Sequence, residues 1–206
     1  MSHPGAKNQL RIIGGRWRSR RLPFPDLPGL RPTPDRVRET LFNWLQPVIA
    51  GARCLDLFAG SGALGFEAAS RGAGEVVLVE RERRVADRLR ENARLLGADN
   101  VRLVQADALR YLDSMPAQPF DVVFLDPPFG HNVLASACCL LETRGWLRDQ
   151  ARIYMEAEKE LGMPEVPANW VLVRSKAAGQ VGYHLALRTA PGSGLEESAI
   201  PDAERR

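Results

Sequence analysis

The sequence predicts an α/β fold: a mostly parallel sheet of seven strands with an antiparallel C-terminal strand, plus a small β-hairpin arm at the N-terminus. From Arg53 onward, short apolar runs alternate with helical segments, a pattern typical of parallel strands joined by crossover helices. The last two strand-like runs, 170–175 and 183–189, are separated by a short connection, and strands linked so closely are most simply antiparallel. These two observations predict the sheet.

The apolar pattern also places the individual elements. We expect strands at about 53–58, 75–80, 101–105 and 121–126, then at about 151–158, 170–175 and 183–189. We expect the helices of the sheet region at about 63–71, 82–97 and 131–143.

Composition indicates one domain with a small appendage, because 206 residues with 45% hydrophobic content can bury one substantial core. The longest apolar runs are far too short to span a bilayer, and the N-terminus is polar and basic without a signal-type apolar segment. We therefore expect a cytoplasmic protein. The three cysteines and three histidines show no spacing typical of a metal site, so we expect no metal.

The charge is unevenly distributed along the chain. Residues 1–38 contain nine basic and two acidic side chains, a net charge of +7, whereas the remainder contains 19 basic and 23 acidic side chains, a net charge of −4. This asymmetry predicts a polyanion-binding arm on a mildly acidic body.

The predicted arm and linker occupy residues 10–32, after a flexible segment 1–9. Two strand-like runs flank Gly14-Gly15, a dipeptide typical of hairpin turns. The arginines of this hairpin would bind phosphates, and Trp17 would stack on a base; the alternative is a solvated hairpin with Trp17 packed on the body. A proline-rich stretch then favours an extended linker.

A helix follows the linker, with Thr33 as the predicted N-cap and Pro34 as the first helical residue. Its apolar side chains recur at helical spacing, which predicts one face packed on the body. Arg36 and Arg38 fall off this stripe, and they either form a solvated, ion-paired face or contact RNA. The candidate substrate-binding residues are Arg11, Arg16, Trp17, Arg18, Arg31, Arg36 and Arg38.

A glycine-rich loop follows the first strand of the sheet, from Cys54 to Gly65. Glycines at 60, 62 and 65 allow positive φ angles and close approach of a ligand, which fits a dinucleotide or S-adenosylmethionine. Asp56 separates these alternatives, because a carboxylate here would repel a pyrophosphate and attract the ammonium group of S-adenosylmethionine. The candidate cofactor residues of the loop are Asp56, Phe58, Gly60, Ser61 and Gly62.

Acidic residues end four predicted strands: Asp56, Glu80, Asp107 and Asp126. Ligands of open α/β sheets lie beyond the carboxyl ends of the strands, so these acids should line one crevice. Glu80 would accept both hydroxyls of a ribose; its alternative role is a surface acid paired with an arginine. Asp107, followed by Ala108, would accept from an adenine amine, cap a helix, or do both.

The fourth strand is followed by Asp126-Pro127-Pro128-Phe129. Prolines lack an N–H, so their carbonyls remain free as acceptors beside the carboxylate of Asp126. Two acceptors and the flat face of Phe129 suit a planar amine, whose lone pair then points at a donated methyl group. Asp126, Pro127 and Phe129 are the candidate catalytic residues.

The glycine loop with Asp126-Pro127-Pro128-Phe129 resembles the class I S-adenosylmethionine-dependent amino-methyltransferases, whose fold is Rossmann-like. The chain from Leu10 to Thr189 is similar to the bacterial 16S ribosomal RNA guanine-N2 methyltransferases. The motifs that carry this likeness are Arg11-Ile12-Ile13-Gly14-Gly15, Leu30-Arg31-Pro32-Thr33, Asp35 to Leu45, Val166 to Trp170 and Ala178 to Val181.

This resemblance implies methyl transfer from S-adenosylmethionine to the N2 amine of a guanine in 16S rRNA, presented in a partly or fully assembled small ribosomal subunit. It implies a methyltransferase domain at 33–190, acting as a monomer; we expect the acidic tail 191–206 to be disordered. The alternatives are a DNA or other RNA methyltransferase acting on adenine N6 or cytosine N4, a nicotinamide dehydrogenase, and a catalytically silent RNA-binding protein.

Overall fold

The N-terminal arm is a short antiparallel hairpin of strands β1 (Gln9–Arg11) and β2 (Arg21–Pro23) in the computed structural model, which describes residues 8–128 and 133–189. The predicted hairpin is confirmed, but its predicted turn at Gly14-Gly15 is wrong. Residues 12–20 form a wider loop, with a 3-10 turn at Gly15–Trp17. The loop is wider because the N–H groups of Ile13 and Gly14 donate to the carboxylate of Glu67 on the body.

Close packing holds this loop against the body. The φ angle of Gly15 is +73°, and a Cβ there would lie 1.9 Å from the carbonyl oxygen of Ser70. The backbone N–H of Trp17 donates to the Ser70 hydroxyl at 3.0 Å, and that hydroxyl donates to the carbonyl of Gly14 at 2.6 Å. The arm is therefore fixed on the body by its own backbone.

The helices of the described chain are α1 (Asp35–Leu45), α2 (Ala63–Ser70), α3 (Arg83–Leu96), α4 (Ala108–Ser114) and α5 (Val133–Thr143). The three helices predicted for the sheet region are confirmed to within a residue or two, although 131–132 lie outside the described residues. The first helix begins one residue later than predicted, with Pro34 in the N-cap position and no side-chain cap. Thr33 instead contributes its hydroxyl to the candidate site described below.

Seven strands form the central sheet: the arm strands are followed by β3 (Arg53–Asp56), β4 (Glu75–Glu80), β5 (Val101–Gln105), β6 (Phe120–Leu125), β7 (Leu147–Glu158), β8 (Trp170–Ala178) and β9 (Val181–Arg188). Their order is β5-β4-β3-β6-β7-β9-β8. Neighbouring strands from β5 to β7 are parallel, and β9 is antiparallel to both β7 and β8. The predicted sheet is confirmed.

The sheet is buried on both faces, which explains the continuous apolar runs of its central strands. Along β6, Val122 and Phe124 pack with α1, α2 and α3, whereas Val123 and Leu125 pack with α4 and α5. Because β3, β4 and β6 run parallel, their carboxyl ends lie at one edge of the sheet, where the predicted acids are placed.

The described residues lack two further kinds of feature, a membrane-spanning helix and a cluster of metal ligands. None of the helices there is long and apolar enough to cross a membrane. Within the same residues, no group of three or more histidine, cysteine or acidic side chains is arranged to hold a metal ion.

Candidate active site

Asp56 is the last residue of β3 and lies beneath the glycine loop. Its side chain is only 2% exposed, and its carboxylate accepts the N–H of Gly65 at 2.9 Å. Burial raises the pKa of this carboxyl to about 7; the N–H groups of Gly65 and Phe58 oppose that shift, and the charges of Asp126 and Glu80 add to it. Asp56 thus fixes the start of α2, and its predicted contact with a ligand ammonium stays a prediction.

The glycines of this loop serve two different purposes. The φ angle of Gly62 is +80°, and a Cβ there would lie 2.6 Å from the Phe66 ring, so this glycine is required by packing at the start of α2. The φ angle of Gly60 is +48°, and a Cβ there would lie 3.3 Å from the Leu30 side chain and 3.8 Å from the carbonyl oxygen of Phe58. This positive φ angle favours glycine at the position, while Ser61 between the two glycines is buried.

Glu80 is the last residue of β4, and its side chain is hydrogen-bonded to the glycine loop. One carboxylate oxygen accepts the N–H of Gly60 at 2.9 Å and the other accepts the N–H of Glu82 at 2.7 Å. The side chain is half-buried, and its described partners are backbone groups rather than a neighbouring arginine. Glu80 is thus hydrogen-bonded to the backbone of Gly60, and its predicted contact with a ribose stays a prediction.

Asp107 is the N-cap of α4, and its carboxylate accepts the N–H of Arg110 at 3.1 Å. The capping role considered from the sequence is thus confirmed. Ala108 begins the helix and is buried. The predicted adenine contact of these two residues stays a prediction.

Asp126 follows β6 and is half-buried, while Pro127 behind it is buried. Burial raises the pKa of Asp126 to about 6, and a hydrogen bond from the Thr33 hydroxyl opposes that shift. Thr33 is itself buried, so the end of the arm's linker closes one side of this carboxylate. The predicted partner Phe129 lies outside the described residues.

Glu156 on β7 is a functional candidate that the sequence reasoning missed. The parallel register pairs Phe124 with Tyr154 and Leu125 with Met155. Asp126, directly after β6, therefore lies beside Glu156 of β7. The Glu156 side chain is 5% exposed, and the Tyr154 hydroxyl donates to its carboxylate at 2.8 Å. The sequence feature that could have identified Glu156 is an acidic residue inside the otherwise apolar run 153–157.

The groups that shift the pKa of Glu156 are hydroxyls and carboxyls, with no cation among them. Burial, followed by the charge of Asp126, raises the pKa of Glu156 to about 8. Hydrogen bonds from the hydroxyls of Tyr154 and Thr33 oppose that rise, and Asp56 adds to it. Two neighbouring carboxyls with raised pKa values, Glu156 buried and Asp126 half-buried, are typical of functional sites.

This environment predicts a pH-dependent cost of folding. The pKa of Glu156 is higher in the folded chain than its ordinary value of 4.5, so stability falls as pH rises from about 4.5 to about 8. Glu156→Gln removes this cost, so we expect its Tm to match wild type at pH 5 and to exceed it by at least about 4 °C at pH 9. Calorimetry across this range checks the prediction, and a Tm difference that does not change with pH contradicts it.

Arg38, predicted to bind substrate, is instead a structural residue. Its side chain is 1% exposed, with Nε donating to the carbonyl of Thr33 at 3.0 Å and Nη1 to the carbonyl of Arg11 at 2.9 Å. It also pairs with Asp35 and with the buried Glu67. A guanidinium enclosed in this way cannot contact RNA, so this prediction is wrong.

Trp17 also differs from the expected role in base stacking. Its ring is buried on the body, and the guanidinium of Arg16 lies 4.0 Å from the ring centroid. The packed alternative considered from the sequence is therefore the observed one, and in this arrangement the ring does not offer a free face to a base.

The other predicted substrate-binding arginines are exposed: Arg11, Arg16, Arg18, Arg31 and Arg36. Arg11 forms an ion pair with Asp35 at 2.7 Å, which raises its pKa, and Arg16 donates to the side chain of Asn100 at 2.6 Å. These contacts fix two of the guanidinium groups at the surface, where they remain accessible to an anion.

Comparison with known proteins places this architecture in a family. A family model described as "Conserved hypothetical protein 95" matches residues 10–187. Ribosomal RNA small subunit methyltransferase D of Escherichia coli K12 is 55% identical, over 93% of this chain and 96% of its own length. The protein of the same name from Haemophilus influenzae is 47% identical, over 88% and 95%.

The solved structures agree with these relatives. A structure titled as putative methyltransferase yhhF from Escherichia coli is 53% identical, with a TM-score of 0.83 over 88% of this chain and 99% of its own. The chain belongs to the family of ribosomal RNA small subunit methyltransferase D, within the class I methyltransferase superfamily.

Proposed function

We propose that this chain transfers a methyl group from S-adenosylmethionine to the exocyclic N2 amine of a guanine in the 16S rRNA of the small ribosomal subunit. The observation that carries the proposal is the position of Asp56, Glu80 and Asp126 at the carboxyl ends of three adjacent strands, with Asp56 and Glu80 hydrogen-bonded to the glycine loop. The family membership supports the reaction and the substrate class.

The residues of the crevice fit S-adenosylmethionine. Glu80 would accept the ribose hydroxyls, Asp56 would attract the ammonium group, and Asp107 with Ala108 would contact the adenine, while Phe58, Ser61 and Gly62 shape the loop. The cofactor supplies a methyl group on a sulfonium centre. Titration calorimetry tests the fit: we expect S-adenosylmethionine to bind and NAD not to bind, and the reverse result would support a dehydrogenase.

The catalytic residues would act by orienting the amine. Asp126 and the carbonyl of Pro127 accept the two amine hydrogens while the base stacks on Phe129, and the nitrogen lone pair then points at the methyl carbon. The methyl group would come from the sulfonium of the cofactor, which would leave as a neutral thioether, and Asp126 or water would accept the proton that the methylated amine releases. Rate therefore comes mainly from proximity and orientation.

The arm, residues 10–32, would contact the rRNA through exposed arginines such as Arg16, Arg18 and Arg31, with Arg11 and Arg36 beside them. The loop that carries Arg16 and Arg18 is fixed on the body by Glu67 and Ser70, so these charges are held in place before RNA binds. We infer a monomer that meets its substrate in the cytoplasm, within a partly or fully assembled small subunit.

Reversing the charge at Arg16 and Arg18 is expected to weaken RNA binding, because each guanidinium that binds a phosphate releases a counterion. The slope of log K against log salt should fall by about 1.5 for the pair. A matched control is reversal of Arg174 and Lys176, which are exposed on the edge strand at the other side of the sheet. Filter binding at several salt concentrations checks this, and an unchanged slope would show that the arm is not the contact.

The competing DNA amino-methyltransferase is tested by the choice of substrate. The relatives named above, which cover most of this chain, are ribosomal RNA methyltransferases, which favours an RNA substrate whose own fold gives specificity. With labelled S-adenosylmethionine, we expect label in small subunits from cells lacking this protein and none in DNA. Label in DNA alone would support the alternative.

A further inference from the structure

The mechanism above uses Asp126 but leaves its neighbour Glu156 without a role. The two carboxyls lie side by side on β6 and β7, and the same Thr33 hydroxyl interacts with both. Glu156 also accepts from Tyr154, but an amide oxygen would do this equally well without a buried acid. The placement of a second carboxyl directly beside the candidate catalytic one therefore calls for a further explanation.

The Watson–Crick edges of the bases supply that explanation. In guanine, the ring nitrogen next to the N2 amine carries a hydrogen, so two donors stand side by side. In adenine and cytosine, the ring nitrogen next to the amine carries a lone pair, so a donor stands beside an acceptor. When both groups are ionised, two adjacent carboxylates thus match guanine, whose N1–H donor favours the ionised form of Glu156. Adenine or cytosine would place a lone pair against the second carboxylate.

We propose that Glu156 is the specificity-determining residue for the base: it accepts the N1–H of guanine while Asp126 accepts a hydrogen of the N2 amine. This inference rests on the proposed function and identifies how the site selects its base. Glu156 and Thr33 are buried beside the half-buried Asp126, so a base edge that enters here meets both acceptors largely out of bulk water. In such a setting an unpaired polar group is costly, which gives the selection its strength.

Glu156→Gln tests whether the side chain at this position must accept or donate a hydrogen bond. The amide keeps an oxygen for the Tyr154 hydroxyl but presents an NH₂ group toward the base. We expect kcat/KM on guanine to fall by about 10- to 100-fold while affinity for S-adenosylmethionine is retained. If Glu156 acted instead as a neutral acid donating to a ring lone pair, the amide would replace it and transfer would be unchanged, which overturns the proposal.

A change of base provides the readout that a structural role would not move. Small subunits are reconstituted with 2-aminopurine at the modified position, because this base keeps the 2-amine but carries a lone pair at N1. Wild type should prefer guanine by about 10- to 100-fold, and Glu156→Gln should lose this preference because its NH₂ group donates to that lone pair. An equal proportional loss on both bases would overturn the proposal.

Tyr154→Phe is the matched control, since it removes the hydroxyl that donates to Glu156 and leaves the carboxyl in place. We expect it to keep the preference for guanine over 2-aminopurine; loss of the preference would assign the effect to the Tyr154 contact and overturn the role of Glu156. Wild-type transfer to guanine subunits is measured alongside. If wild type itself transfers no methyl group, the proposed function fails, an outcome distinct from a wild-type enzyme that does not discriminate between the bases.

Discussion

Asp126→Ala is expected to lower the rate of methyl transfer by at least about 100-fold while leaving affinity for S-adenosylmethionine within about threefold. The carboxylate lies at the end of β6, where it would orient the amine, whereas the predicted cofactor contacts lie on β3, β4 and α4. Single-turnover transfer of labelled methyl groups measures the first quantity, and calorimetry measures the second.

Asp126→Asn is the conservative companion to this variant. It keeps the shape of the side chain and one oxygen acceptor but cannot take up a proton, so it should retain more activity than the alanine variant. Turnover that is unchanged in Asp126→Ala would contradict the amine site.

Glu67→Ala is expected to lower the free energy of unfolding by about 3 to 5 kcal/mol, more than any other variant discussed. The Glu67 side chain is 0% exposed and accepts from the backbone N–H groups of Ile13 and Gly14, each at 2.8 Å. It also pairs with Arg38 at 3.4 Å and with Arg71 at 2.7 Å. Its removal leaves buried donors unpaired and detaches the arm from the body.

The matched control is Glu75→Ala, which removes a partly exposed ion pair to Arg53 at 2.8 Å. Pairs of this kind contribute at most about 1 kcal/mol. Urea unfolding of both variants gives the comparison. A loss in Glu67→Ala no greater than in Glu75→Ala would show that the buried cluster does not hold the arm.

Local pattern predicted most of the sheet. The apolar run at Val76 to Val79 is buried on both faces, so an unbroken apolar pattern was enough to predict its strand. The capping role of Asp107 could also be predicted, because helix caps depend on neighbouring residues. The acids at the strand ends were also placed at one edge, because parallel strands share their polarity.

Long-range contacts account for the differences. The predicted turn at Gly14-Gly15 does not form because Glu67, more than fifty residues away, accepts the N–H groups of Ile13 and Gly14. Helical spacing predicts a surface position for Arg38, because spacing does not reveal its buried partner Glu67 on another helix. Glu156 was missed because its significance depends on the register between β6 and β7, which brings it beside Asp126.

We expect this site to methylate the N2 amine of guanine in 16S rRNA. Small subunits from cells lacking the protein, incubated with it and labelled S-adenosylmethionine, are digested to nucleosides and analysed by mass spectrometry. We expect the label to appear in N2-methylguanosine from 16S rRNA and to disappear with Asp126→Ala. Label in N6-methyladenosine or N4-methylcytidine, or no label in 16S rRNA, would contradict it.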